Sequence, residues 1–348
     1  MTRRDTKKFE VRRLQLTGGS TYIVSLPKRW VLDHGLAAKD QVRVEWRPSG
    51  NLRIIPESSS IIRRREVDIH LDNLPDNLSI DHLIAAYLAG ANIIRIHRKN
   101  GFDTKDRKLF RRFISIGRGI EIVNETDRML EIESLVNAGS LPIISSLNRM
   151  YLLIRRVLSD ILESFVSKDP SYLEDIEDRE NEVDALRLLV ERQIGEILES
   201  AYLEDSAGIN RWEAAELGNL VRTMERIGDH VYALGQLAKD SEKANSIDIN
   251  ELPFSLIPSW LEAFKALNSN IKRPNLNQIH DAKNQLRNDM AVLSEFEENL
   301  WTETDTVHAL YLHRCSESIR RLCAYVNDMA EINLNIHTHK HSSMVIRV

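Results

Sequence analysis

Cysteine is nearly absent: the 348 residues hold two, Cys315 and Cys323. They stand eight residues apart in one helical pattern, too far along its axis to bridge. A disulfide-stapled secreted scaffold is therefore excluded, and both read as reduced, half-buried small hydrophobes. Long apolar runs are missing too. The longest, Leu83 to Ile96, is shorter than the roughly 20 residues a membrane helix needs. The opening residues, MTRRDTKKFE, are charged and lack the apolar stretch of a secretory signal, which sets the expectation of a cytoplasmic chain. No Gly-rich phosphate loop and no Ser/His/Asp or Cys/His constellation is present, so no catalytic role is expected.

What is present is a sharp division of charge. Residues 1–65 hold 15 Lys/Arg against 6 Asp/Glu, a net +9, while the whole chain carries −5. Residues 137–240 hold 20 Asp/Glu against 11 Lys/Arg. An anion-seeking front end is joined to a cation-seeking body.

The hydrophobic period changes along the chain in the same sense. From Phe9 to Pro56, VRRLQL, TYIVSL, QVRVEW and LRIIP alternate like strands around the turns TGGS and PSGN and one short helix, PKRWVLDHGL. About fifty residues with so little core need a partner, and dimerisation with strands of two chains completing one barrel is the expected remedy. The stretch SSSIIRRR from Ser58 reads as a linker, and a small α/β module for pairing or packing follows within residues 58–136. Its strands are EVDIHL, NIIRIHR, IEIVNE and MLEIESL, and its two helices carry expected caps at Ser79 and Thr104. From Ser140 the period is helical: Ile144, Leu147, Tyr151, Ile154, Leu158, Ile161 and Phe165 form one stripe, and Val183, Leu186, Val190, Ile194 and Ile197 another. Breaks divide this region into six helices, read as two three-helix units in tandem over 137–240 and 254–340.

Within the first unit, Glu180 and Asp184 lie four residues apart, as do Glu225 and Asp229, so each pair stands on one helical face a turn apart. Like charges so placed repel by a few tenths of a kcal/mol, roughly, unless a cation relieves them. The four are mirror-symmetric about position 204.5, inside AYLEDSAGIN. If that loop joins antiparallel helices, Glu180 lies level with Asp229 and Asp184 with Glu225. Four carboxylates then converge on a groove beside the apolar stripe, a hard-oxygen set suited to magnesium, manganese or calcium, and also to iron or zinc. His230 is adjacent in sequence, but its wheel position points elsewhere. The competing reading is a solvated acidic face with Arg179, Arg222 and Arg226 as ion-pair partners.

The runs ENEVDAL (180–186) and VRTMERIGDHVYAL (221–234) resemble the two Glu-x-x-x-Asp signatures of the PhoU family of phosphate-uptake regulators. That resemblance covers about 137–340 and implies an all-helical tandem repeat of three-helix bundles. It also implies metal held by Glu180, Asp184, Glu225 and Asp229, and control of phosphate import and starvation signalling. In the second repeat HRCSESIRRLCAYVNDMAE aligns Glu317 with Glu225 but puts Arg321 in place of Asp229, with Asp281 and Gln285 opposite, mirrored about a loop near Trp301. One metal site is expected, not two, the Arg321 guanidinium standing in for the cation beside Asp281 and Glu317.

The N-terminal stretch VRRLQLTGGSTYIVSLPKRWVLDHGLAAKDQVRVEW is similar to the AbrB family and its SpoVT relatives. The resemblance implies a swapped-hairpin dimer over 1–57 that binds double-stranded DNA, with Arg12, Arg13, Lys28 and Arg29 put forward by position. The fold expected overall is multidomain: a small β domain, an α/β module and tandem helical bundles. Its expected role is a homodimeric regulator of phosphate uptake and phosphate-responsive transcription. The alternatives are an adaptor acting on a phosphate transporter ATPase subunit or a signalling kinase without DNA, and a carboxylate-bridged metalloenzyme. Finally, NIHTHKHSSM places His337, His339 and His341 at alternate positions. An extended chain would face them one way, able to chelate zinc, nickel or copper; the commoner reading is a mobile tail.

Overall fold

The computed structural model describes residues 9–47, 50–57, 64–75, 78–135 and 142–342. Most of the expected linker, the first half of the PSGN turn and the end of the C-terminal tail lie outside these. The chain divides between Arg64 and Arg65 into two compact units.

In the first unit, β1 (Gln15–Thr17) pairs antiparallel with β2 (Thr21–Ile23), α1 (Lys28–Asp33) follows Pro27, and β3 (Val42–Trp46) pairs with β4 (Leu52–Pro56). Gly18 and Gly19 turn the first hairpin with φ of 60° and 81°, backbone that a side chain would disfavour. The expected strand VRRLQL forms only at its end, Gln15 onward, because β2 offers just three residues of backbone to pair with. Leu36 is the one buried hydrophobic among this unit's described residues, whereas Phe9 and Trp46 are 81% and 84% exposed. A unit this hollow buries too little apolar surface to offset the entropy of ordering it alone.

The second unit begins with an α/β layer: β5 (Glu66–His70), α2 (Ser79–Leu88), β6 (Ile93–His97), α3 (Thr104–Ile116), β7 (Ile120–Glu125) and β8 (Met129–Ser134). The sheet order is β5-β6-β8-β7, parallel between β5 and β6 and antiparallel elsewhere. The expected caps shift by a residue. Asp103, not Thr104, caps α3 in a reciprocal box with Asp106, because a carboxylate accepts both orphan N–H groups better placed than the hydroxyl one step later. Ser79 is already inside α2 and buried, and the helix start at Leu78 has no side-chain cap.

Then come α4 (Ile143–Ser167), α5 (Ile176–Glu199), the short α6 (Ala201–Ala207), α7 (Arg211–Ala238), the one-turn α8 (Ser241–Ala244), α9 (Ile257–Asn270), α10 (Leu276–Asn299) and α11 (Thr306–His341). The expected apolar stripes of α4 and α5 are buried in one core that also takes in α7, α9, α10 and α11. Cys315 and Cys323 are wholly buried in it rather than half-buried, and desolvation pushes both thiols up to about 12. Two glycines let α7 lie close on α5: a Cβ at Gly228 would stand 3.2 Å from Val183, and one at Gly235 would run into the Ile176 side chain. No helix among the described residues is long and apolar enough to cross a membrane.

The α/β layer is fixed to the bundle through α5. Leu188 belongs to the sheet's core, and the wholly buried Arg192 donates to the Tyr87 carbonyl at 2.7 Å with its guanidinium 5.0 Å from the Tyr87 ring. Nearer the amino end of α5, Glu182 accepts from Arg149 at 3.0 Å and pairs with Arg118 at 3.5 Å. This α/β layer thereby braces the segment that carries Glu180 and Asp184.

Candidate metal centre

Glu180 and Asp184 project from the first half of α5, Glu225 and Asp229 from the middle of α7. The close approach at Gly228 and Val183, each one residue before an aspartate, draws the two faces together. Glu180, Asp184 and Asp229 offer carboxylate oxygens that all lie within 4.8 Å of one another, the first two half-buried and the third exposed. An apolar cleft lined by Ile154, Val157, Val183, Gly228 and Val231 reaches Glu180.

Glu225 is not in that triad. Its carboxylate pairs with Arg187 at 3.2 Å, and Arg187 also donates to Glu191 at 2.8 Å. The cause is the register of α5 against α7. The facing pairs Arg187–Glu225, Glu191–Arg222, Val183–Gly228 and Ile176–Gly235 are mirrored about position 206, not 204.5. The connection from Ser200 to Asn210 contains α6 and is no simple loop. Asp229 therefore comes level with residues around Asp184, while Glu225 comes level with Arg187. The signal was available in sequence, since Arg187 follows Asp184 by three and shares its face.

Electrostatics describe a cluster short of positive charge. Burial, then the charges of Asp184, Asp229, Glu177 and Glu225, hold the Glu180 carboxyl up at about 7. Asp184 and Glu225 are raised as well, chiefly by burial, and Asp229, exposed as a residue, is raised by desolvation of its carboxyl in the cluster and then by the charge of Asp184; Arg187 acts in the opposite direction on each. Of the three arginines expected as neutralising partners, Arg179 pairs with Asp175 and Asp160 and Arg222 with Glu191, while Arg226 lies over the Tyr325 ring and makes no ion pair with the cluster, its charge only partly offsetting the rise at Glu225 and Asp229. His230 turns away, its ring 5.6 Å from that of Tyr325, and burial followed by the Arg321 charge lowers its pKa. Three convergent hard oxygens with raised proton affinity fit a small divalent or trivalent cation, which would replace the protons and relieve the repulsion. Glu180, Asp184 and Asp229 would hold it, with Glu225 available if Arg187 released it.

In the second repeat the expected quartet does not assemble. Glu297 accepts from Ser316 at 2.9 Å and pairs with Arg320, and Lys283 pairs with Glu331 at 2.7 Å, which mirrors α10 and α11 about position 307 rather than near Trp301. The chain runs on through Asp305 before α11 starts, so the crossing lies well beyond Trp301. Asp281 and Gln285 then stand several turns from Glu317 and Arg321, and Gln285 donates instead to the buried Asp289. Among the described residues no ion pair joins Arg321 to Asp281 or Glu317.

The basic residues put forward for DNA are all exposed in the first unit. Arg12 pairs with Glu10, and Arg29 pairs loosely with Asp33 at 3.6 Å; Lys28 opens α1. The C-terminal histidines are not in an extended chain. α11 continues to His341, so His337 and His341 share a face while His339 stacks on Trp212 at 4.2 Å.

Residues 147–238, which span all four signature carboxylates, match the family described as the PhoU domain. This region is a PhoU domain. Residues 15–62 match the family described as antidote-toxin recognition MazE, bacterial antitoxin, an AbrB-like fold. No curated protein matches the chain. A PhoU domain indicates regulation of phosphate homeostasis and a MazE/AbrB-like unit indicates DNA binding; PhoU-family regulators are generally non-enzymatic.

Proposed function

We propose that the chain is a metal-bearing regulator of phosphate uptake and phosphate-responsive transcription. Its PhoU domain binds an iron, zinc, manganese or magnesium ion through Glu180, Asp184 and Asp229, with Glu225 as a conditional fourth ligand. Its N-terminal unit binds double-stranded DNA as a homodimer through Arg12, Arg13, Lys28 and Arg29. The observation that carries this reading is the triad of carboxylates within 4.8 Å inside the segment that matches the PhoU domain.

Homodimerisation is supported by the exposed Phe9, Leu14, Tyr22 and Trp46 of a unit with almost no core of its own. DNA is supported by the +9 balance of residues 1–65, whose affinity for phosphate should fall steeply with salt. Elemental analysis of wild type against Glu180→Ala/Asp184→Ala/Asp229→Ala tests the metal; equal content in both refutes the site. A gel-shift titration over several salt concentrations tests the DNA half. No retardation at low salt, or none lost in Arg12→Ala/Arg13→Ala/Lys28→Ala/Arg29→Ala, removes it and leaves an adaptor for a transporter ATPase subunit or a signalling kinase.

A further inference from the structure

The histidines at the end of α11 remain outside the function described above. His337 and His341 are one helical turn apart on the same face, their rings 4.2 Å apart between centroids and tilted by 32°. His341 Nδ1 lies 2.8 Å from the His337 carbonyl oxygen, an acceptor that can only take a proton. That contact puts the His341 proton on Nδ1 and leaves a lone pair on Nε2. His337 has no such claim on either nitrogen: its Nδ1 is shut from solvent without a hydrogen-bond partner, and among the described residues nothing engages its Nε2. With Nδ1 closed to an incoming ion, Nε2 is the nitrogen that His337 can offer, on the same helix face as that of His341.

We propose that His337 and His341 form a two-imidazole site for a borderline divalent transition ion, zinc, nickel or copper, on the last turn of α11. Imidazole pairs select these ions, whereas the carboxylate triad of the PhoU domain suits hard cations, so the two sites differ in chemistry and do not depend on each other. Two residues on one rigid turn present both donors at once, which makes the second bond intramolecular and raises affinity above that of a lone histidine. His339 takes no part, since it stacks on Trp212, and Lys340 is committed to Glu213 at 2.7 Å. Water completes the coordination. The ion ties His337 to His341 and so stabilises the C-terminal turn of the helix by mass action.

The test is calorimetric titration of nickel and of zinc into the full chain carrying Glu180→Gln/Asp184→Asn/Asp229→Asn, which removes the hard-ligand triad. Copper quenching of tryptophan fluorescence provides a second readout, with Trp212 beside the site. One ion per chain is expected, weakened about tenfold or more by either His337→Gln or His341→Gln, and unchanged by His339→Gln. Far-UV circular dichroism verifies that these exposed-end variants keep their helix. Loss of binding equally in His339→Gln would mean a mobile polydentate tail and overturn the site. Retention in His337→Gln/His341→Gln would overturn it too, as would uptake of magnesium in place of nickel.

Discussion

The proton on Glu180 gives the metal proposal a quantitative handle. An ion held by Glu180, Asp184 and Asp229 must displace whatever proton Glu180 carries, and that carboxyl sits at about 7. Apparent affinity is then reduced by roughly 11-fold at pH 6, about 2-fold at pH 7 and hardly at all at pH 8. Manganese should therefore bind about tenfold tighter at pH 8 than at pH 6, releasing about half a proton per ion from Glu180 at pH 7. Calorimetry in buffers of different ionisation enthalpy measures both quantities. A flat affinity between pH 6 and pH 8, with no buffer dependence of the heat, would refute the reasoning.

The same group predicts the opposite trend for the metal-free protein. Folded Glu180 titrates at about 7 against an ordinary 4.5, so between those values the native state holds a proton that the unfolded state has shed. Stability of the metal-free chain accordingly falls as pH rises from about 4.5 towards 7. Glu180→Gln removes this loss, raising the metal-free melting temperature at pH 8 while abolishing the manganese-induced rise. A variant that melts lower than wild type without metal at pH 8 would show that Glu180 is neutralised by some other means.

Three further outcomes follow from the packing and the charge. Gly235→Ala gains about 1 kcal/mol of helix propensity but forces a methyl into Ile176 at an overpacking cost of roughly 2–3. Urea unfolding should show a net loss of about 1–2 kcal/mol, and a stabilised variant would contradict the tight α5–α7 contact. Arg187→Ala removes the cation that holds Glu225 away from the triad. Metal should then bind more tightly, as read by competition with a fluorescent chelator, and weaker binding would assign Arg187 a supporting role. Arg13→Ala and Lys28→Ala should each lower the slope of log affinity for DNA against log salt by about one, uniformly across sequences. A change at one sequence alone would point to base contacts.

How far the sequence revealed the site depends on which physical rule was being read. The period-3.6 stripes of α4 and α5, the period-2 strands of the α/β layer and the Gly18–Gly19 turn are local signals, and the structure has them where the residues put them. The first two N-terminal strands, VRRLQL and TYIVSL, are longer in sequence than in the structure, whereas QVRVEW and LRIIP form nearly as expected. The pattern of the first hairpin is that of a half-buried surface, and within one chain its strands pair over only three residues. The His337–His339–His341 alternation misled in the opposite direction, because α11 does not stop where its apolar stripe thins.

The carboxylates expose the limit most clearly. Spacing within each Glu-x-x-x-Asp pair is fixed by the helix and needed no structure, but alignment between the pairs depends on a connection whose geometry no period encodes. α6 moves the crossing of α5 and α7 by about one and a half positions, and opposite residues shift by twice that, close to one helical turn. A shift of this size leaves Asp229 among the ligands and passes Glu225 to Arg187. In the second repeat the crossing moves by several positions and no quartet forms. An i,i+4 motif therefore specifies what a helix face offers, and the connection decides which offers meet.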